Sequence, residues 1–153
     1  MTLDGETLGL MFQVLNWAVV PFWLLLLVAP GWTAGPRLIS GRIVPALLGA
    51  CYVFLLFSGA GAAFVEPVPN AGNGLTLDAV MFMFTKPVVA LLGWVHYLAF
   101  DLFVGSWETR DARERGVPYW LLAPCLILTF AVGPAGFLAY ILIRKVAGRR
   151  GTA

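Results

Sequence analysis

Charge is what this chain has least of. Only 12% of its 153 residues are Asp, Glu, Lys or Arg, and none of these occurs from Thr7 to Pro36, from Ile43 to Val65 or from Gly116 to Ile143. Soluble domains carry about 25% charged residues, so a soluble fold is excluded. The net charge of +2 is too small to attract nucleic acid, and the basic residues bordering the apolar runs are expected to meet membrane lipids at their headgroups. Cysteine is also scarce. Cys51 and Cys125 both fall in apolar runs without CxxC spacing, which argues against a structural disulfide or a zinc site. His96 is the single histidine and no Glu-x-x-His pair occurs; that is too few ligands for a typical iron or zinc centre. No metal and no cofactor is expected. The N-terminal residues include Asp4 and Glu6 but no Lys or Arg, unlike a secretory signal or an organellar transit peptide. The first apolar run is therefore expected to stay in the mature protein.

What is present is apolar. Hydrophobic residues make up 60% of the chain, and its mean hydropathy is +0.86. A helix crosses the hydrocarbon core with about 20 apolar residues. The runs predict an all-α fold, an integral membrane bundle of four transmembrane helices in one domain over 1–153. The spans are expected at about 8–28, 43–64, 79–103 and 119–143. Helical character from Leu77 to Arg115 would cover about 40 residues, or about 60 Å, too long for one crossing. The third span is therefore expected to be long or kinked near Pro87, which removes a helix hydrogen bond. Leu77–Thr85 then forms an interfacial or re-entrant helix or the outer part of a kinked span, and Trp107–Arg115 projects from the other face. A bend is expected at Gly133-Pro134. Turn residues at Glu66–Gly74 predict a connector or a lid. The small residues from Ser58 to Ala63 allow close helix approach and are compatible with a homodimer. Four crossings put both termini on one side, with five basic residues at each face, so the orientation does not resolve.

The segment Gly93-Trp94-Val95-His96-Tyr97-Leu98-Ala99-Phe100-Asp101 holds the chemistry. A charged side chain at membrane depth costs about 2.5–3.5 kcal/mol on insertion scales, so such groups pair or line a polar cavity. His96 and Asp101 are the candidate catalytic pair. They lie five residues apart, about 140° around a helix at 3.6 residues per turn, so a cavity touching both must wrap around that helix. Tyr97 is four residues before Asp101 and can meet it, whereas His96 shares a face with Val89, Gly93 and Phe100. The structural alternative has His96 bonded to a backbone carbonyl and Asp101 bonded to Arg110, Arg113 or Arg115. Trp94, Tyr97, Phe100, Asn16 and Gln13 are the candidate substrate-binding residues; Gln13 and Asn16 are three apart on one helix face. The abundant aromatics line a pocket for a long apolar ligand or form interfacial belts. Glu108, Asp111 and Glu114, interleaved with arginines, predict a solvated helix end with local ion pairs.

Met83-Phe84-Thr85-Lys86-Pro87, the run Leu92 to Gly105, Asp111, the pattern Gly133-Pro134-x-Gly136-x-x-x-Tyr140 and Arg144 together resemble the plant neoxanthin-synthesis membrane protein family, named for abscisic-acid deficiency, and its bacterial relatives. The resemblance covers nearly the whole chain. It implies a four-helix integral membrane protein and, for plant members, a role in converting violaxanthin to neoxanthin in chloroplast membranes. Without a transit peptide the chain looks like a bacterial member, placed in the inner membrane. That conversion is an isomerisation: an epoxide opens to an alcohol while a vinylic proton leaves, giving an allene. It needs one acid and one base and no redox cofactor. Asp101 as acid with His96 as base, or the reverse, would suffice in principle. Three readings follow: an isomerase of a carotenoid epoxide or related isoprenoid lipid, a non-catalytic protein that binds such a carotenoid or isoprenoid ligand, and a small transporter.

Overall fold

A computed structural model describes residues 3–29, 31–67 and 76–147, all helix and connecting turns with no strand among them. Most of the 66–74 segment and the Arg149-Arg150 pair lie outside the described residues. Helix α1 is Gly5–Val28. It starts where the Asp4 carboxylate accepts the Thr7 backbone N–H at 2.7 Å, a side-chain N-cap that satisfies one of the orphan donors of the first turn. Only Leu8, Val19, Trp23 and Leu26 of α1 are buried. The rest of its apolar surface, Trp17 and Val28 included, points outward, as suits a helix solvated by lipid.

Helix α2 is Gly35–Ala63. Its first nine residues, Gly35–Ile43, are wound as a π-helix, and Val44–Leu55 is α-helical. The small residues near its end break the helix: Gly59 adopts φ 127, a conformation that glycine tolerates without steric cost. Helix α3, Leu77–Phe84, is capped by the Thr76 hydroxyl. Helix α4 runs unbroken from Pro87 to Arg115 over 29 residues, about 43 Å, and stops at Gly116 in the left-handed region (φ 67). The expected break at Pro87 is present, with Pro87 in the first turn, where its missing N–H costs no bond. The third apolar run is carried by the helix Pro87–Arg115, and α3 is a separate short helix whose Phe84 ring packs over Gly93.

Helix α4 is the axis of the bundle. Asn16 meets Trp94 and Trp23 packs on Gly105, so α1 runs parallel to α4. Pro36 meets Ser106 and Tyr52 meets His96, so α2 runs antiparallel to it. Gly105 has a steric reason: a Cβ there would sit 2.6 Å from the Trp23 ring.

The last two helices, α5 (Tyr119–Val132) and α6 (Pro134–Ala147), form a hairpin. Tyr119 bonds Leu27 at the end of α1. Gly133 lies against Asp101, Trp107 packs on Phe137 and Tyr140, and Arg144 reaches Asp111. Helix α5 therefore rises along α4 to the level of Asp101, and α6 descends to the level of its own start. The single helix expected over 119–143 is instead two helices folded back on each other at Gly133. Each arm has 14 residues, about 21 Å, short of the roughly 30 Å core. The bend expected at Gly133-Pro134 is a full reversal, made possible by φ 33 at Gly133 and by Gly136, whose missing side chain lets α6 touch the Thr129 backbone. Among the described residues three helices, α1, α2 and α4, are long and apolar enough to cross a bilayer. The two ends of the described chain lie near opposite ends of α4, Gly5 by Pro87 and Arg144 by Asp111.

Candidate functional site

Tyr97, Asp101, Glu108 and Asp111 follow one another at intervals of four, seven and three along α4, which places them in one stripe. The stripe faces the hairpin. At its upper end the Asp101 carboxylate lies under the hairpin apex: a Cβ on Gly133 would be 2.6 Å from Asp101 Oδ1. Asp101 Oδ2 is buried without a hydrogen-bond partner, which is rare and costly for a buried polar atom. The Tyr97 hydroxyl lies beside this carboxyl and donates to the Phe130 carbonyl at 3.2 Å. The arginines that could have paired with Asp101 sit two turns or more further along α4.

Further down, Glu108 is fully buried. Its two oxygens share one donor, the Thr129 hydroxyl, at 3.0 and 3.1 Å. A carboxylate offers about four acceptor sites, so this group is sparsely served. The expectation of a solvated acidic helix end therefore fails for Glu108. The seventh position after Asp101 points inward, where the hairpin covers it. Asp111 is well served by the Tyr140 hydroxyl at 2.6 Å, Arg144 at 3.1 Å and Arg115 at 3.0 Å, which tie the foot of α6 to α4. Glu108, Thr129, Gly133 and Tyr140 build this polar core but are not among the candidate site residues of the sequence. Gly133 and Tyr140 enter there only through the family pattern and, for Gly133, the expected bend; for Glu108 the seven-residue spacing from Asp101 is the signal.

On the neighbouring face, α1, α4 and α5 enclose a mostly apolar groove of about 500 Å³ lined by Trp17, Val20, Leu98 and Ala131 together with Asn16, Trp94, Tyr97 and Phe130. Trp94 Nε1 donates to Asn16 Oδ1 at 2.7 Å, and its ring stacks on Tyr97 with centroids 5.3 Å apart. The structure thus brings together Asn16, Trp94 and Tyr97, with Asp101 behind Tyr97. It does not bring in the others. Gln13 is exposed on α1. His96 stacks on Phe100 at 4.5 Å and faces Tyr52 of α2. His96 and Asp101 occupy different sides of α4, as their five-residue spacing requires. Among the described residues no three His, Cys, Asp or Glu side chains converge as metal ligands.

A helical membrane protein with a carboxylate stripe covered by a helical hairpin is the class defined by this fold and site. The chain belongs to the ABA DEFICIENT 4-like family, whose model matches residues 10–140. It is similar to Protein ABA DEFICIENT 4, chloroplastic, of Arabidopsis thaliana, with 26% identity over 137 residues, covering 88% of this chain and 60% of that protein. The chain thus spans about three fifths of that relative's length. No solved structure matches it.

Proposed function

We propose that this protein holds a carotenoid epoxide or related isoprenoid lipid in the Asn16–Trp94–Tyr97 groove and isomerises it to an allene. The observation that carries this reading is the buried, partnerless Asp101 oxygen behind Tyr97, a residue that lines the groove. The groove supplies a long apolar bed with few polar groups, the usual make-up of a lipid-ligand site. Tyr97 is the group placed to touch the epoxide. Its hydroxyl proton passes to the epoxide oxygen as the carbon–oxygen bond breaks, and Asp101 reprotonates Tyr97. The carboxylate so formed receives the vinylic proton through the same hydroxyl, and the electrons of the broken carbon–hydrogen bond complete the allene. Every group ends as it began, and no electrons leave the substrate. His96, facing α2, takes no part in this scheme.

A second reading, a protein that binds the pigment without converting it, is favoured by the pairing of Trp94 with Asn16 and of Tyr97 with Phe130, which leaves the groove with little free polar capacity. One experiment separates the two: reconstitution with violaxanthin, followed by chromatography of the extracted pigment. The isomerase reading expects conversion by the wild type and by His96→Ala. It expects a loss of about 10²–10⁴-fold, the scale of one proton-transfer group, in Asp101→Asn and Tyr97→Phe, with pigment still retained. Full turnover by Asp101→Asn overturns the scheme, and retention without conversion by the wild type establishes the binding protein.

A further inference from the structure

A second site lies at the opposite end of α4 from Pro87. The π-helical start of α2 and the last turns of α4 enclose a recess of about 310 Å³ lined by Thr33, Arg37, Arg42, Thr109, Arg110 and Arg113, with Glu114 at its edge. A second recess of about 370 Å³ continues along Thr33, Ala34, Arg37, Leu38 and Arg42. The convergence has a cause in the backbone. In an α-helix Arg37 and Arg42 would point about 140° apart. The wider turn of a π-helix, with its i to i+5 bonding, brings residues five apart closer to one face, and Gly35–Ile43 is wound this way. Ser106 donates to the Pro36 carbonyl and packs against Gly41, which fastens this turn to α4. Arg110 and Arg113, three apart, face it from α4.

Four guanidinium groups therefore share one recess with a single carboxylate. The ion pairs among the described residues are Lys86–Glu66, Arg115–Asp111 and Arg144–Asp111; none involves these four. Arg110 Nε donates to the Ser106 carbonyl at 3.4 Å, and its terminal nitrogens are not engaged by that bond. The planar fork of arginine matches phosphate oxygens two at a time. Next to the recess, Leu38, Ile43 and Leu47 form an exposed apolar track along α2. A phosphate in the recess and a hydrocarbon chain on that track describe a single amphiphile.

We propose that this recess is a binding site for a phosphate group, carried by an anionic phospholipid of the adjoining leaflet. Basic pockets between membrane helices recognise such headgroups. The site is separate from the groove at Tyr97 and stands whether or not that groove is catalytic.

The test is native mass spectrometry and thermal unfolding of the detergent-purified protein with phosphatidylglycerol, phosphatidylcholine or inorganic phosphate added. Phosphatidylglycerol is expected to be retained and to raise Tm, with phosphatidylcholine and inorganic phosphate having little effect. Arg37→Gln with Arg113→Gln is expected to weaken phosphatidylglycerol retention at least tenfold. Both side chains are exposed, and far-ultraviolet circular dichroism verifies the fold of the variant. Arg37→Lys with Arg113→Lys, which keeps the charge, is expected to restore part of the retention. Protection by inorganic phosphate equal to that by the lipid would overturn the lipid source and leave a soluble phosphate ligand. Equal retention of the two lipids, or undiminished retention by the glutamine variant, would overturn the site.

Discussion

Gly133 and Thr129 show how much of the polar core rests on single residues. Gly133 must adopt a positive φ and leave room for the Asp101 carboxylate. Gly133→Ala sets a methyl against that carboxylate and strains the backbone, at a cost of about 1–3 kcal/mol for such a conformation. Thermal unfolding in detergent is expected to show a clear fall in Tm. Thr129→Val keeps the shape but removes the donor shared by both Glu108 oxygens. Leaving a buried acceptor unserved costs about 1–3 kcal/mol. Glu108→Gln with Thr129 intact is expected to lose less, because the amide still offers an acceptor and carries its own donors. An equal loss in the two variants would show that the hydroxyl does not hold the carboxyl in place.

Among the elements, the hairpin is the least expected and depends on its foot. Tyr140, Arg144 and Asp111 pin α6 to α4. Arg144→Ala removes a charge-assisted bond and the stacking of the guanidinium over Trp107 at 5.2 Å. Amide exchange in α6 is expected to accelerate while that in α4 stays slow. Three apolar rods and the break at Pro87 were legible in the sequence, because length and hydropathy decide what crosses a bilayer and proline decides where a helix can restart. The reversal at Gly133 was not legible, since an apolar run of 25 residues reads alike whether it crosses once or folds back. Only tertiary contacts, Phe137 and Tyr140 on Trp107, select the second. The same reason hid Glu108: its position among arginines reads as surface until the hairpin is laid over it. For Tyr97 beside Asp101, and for His96 on a different face, helical spacing sufficed.

The whole molecule has a strong polarity of charge. Arg37, Arg42, Arg110, Arg113, Arg115, Arg144 and Lys145 gather at one end, whereas the other holds Lys86, paired with Glu66, and the acidic Asp4 and Glu6. The even balance expected from four crossings gives way to this asymmetry because α6 returns along α4 toward Asp111. By the positive-inside rule the arginine end is expected to face the compartment from which the protein is inserted. Glu66→Cys and Lys145→Cys, each in a background without Cys51 and Cys125, are expected to react with an impermeant maleimide from opposite sides. A four-crossing chain would place both on the same side.

The hairpin also sets an order of manufacture. Neither of its arms is long enough to be held in the bilayer as a crossing, and both are synthesised after α4. Until they arrive, Asp101 and Glu108 stand in the membrane without the lining that α5 and α6 give them. The growing protein therefore carries its least tolerable groups uncovered until its last helices fold back, and a ribosome stalled before Tyr119 would present quality-control machinery with an open acidic stripe.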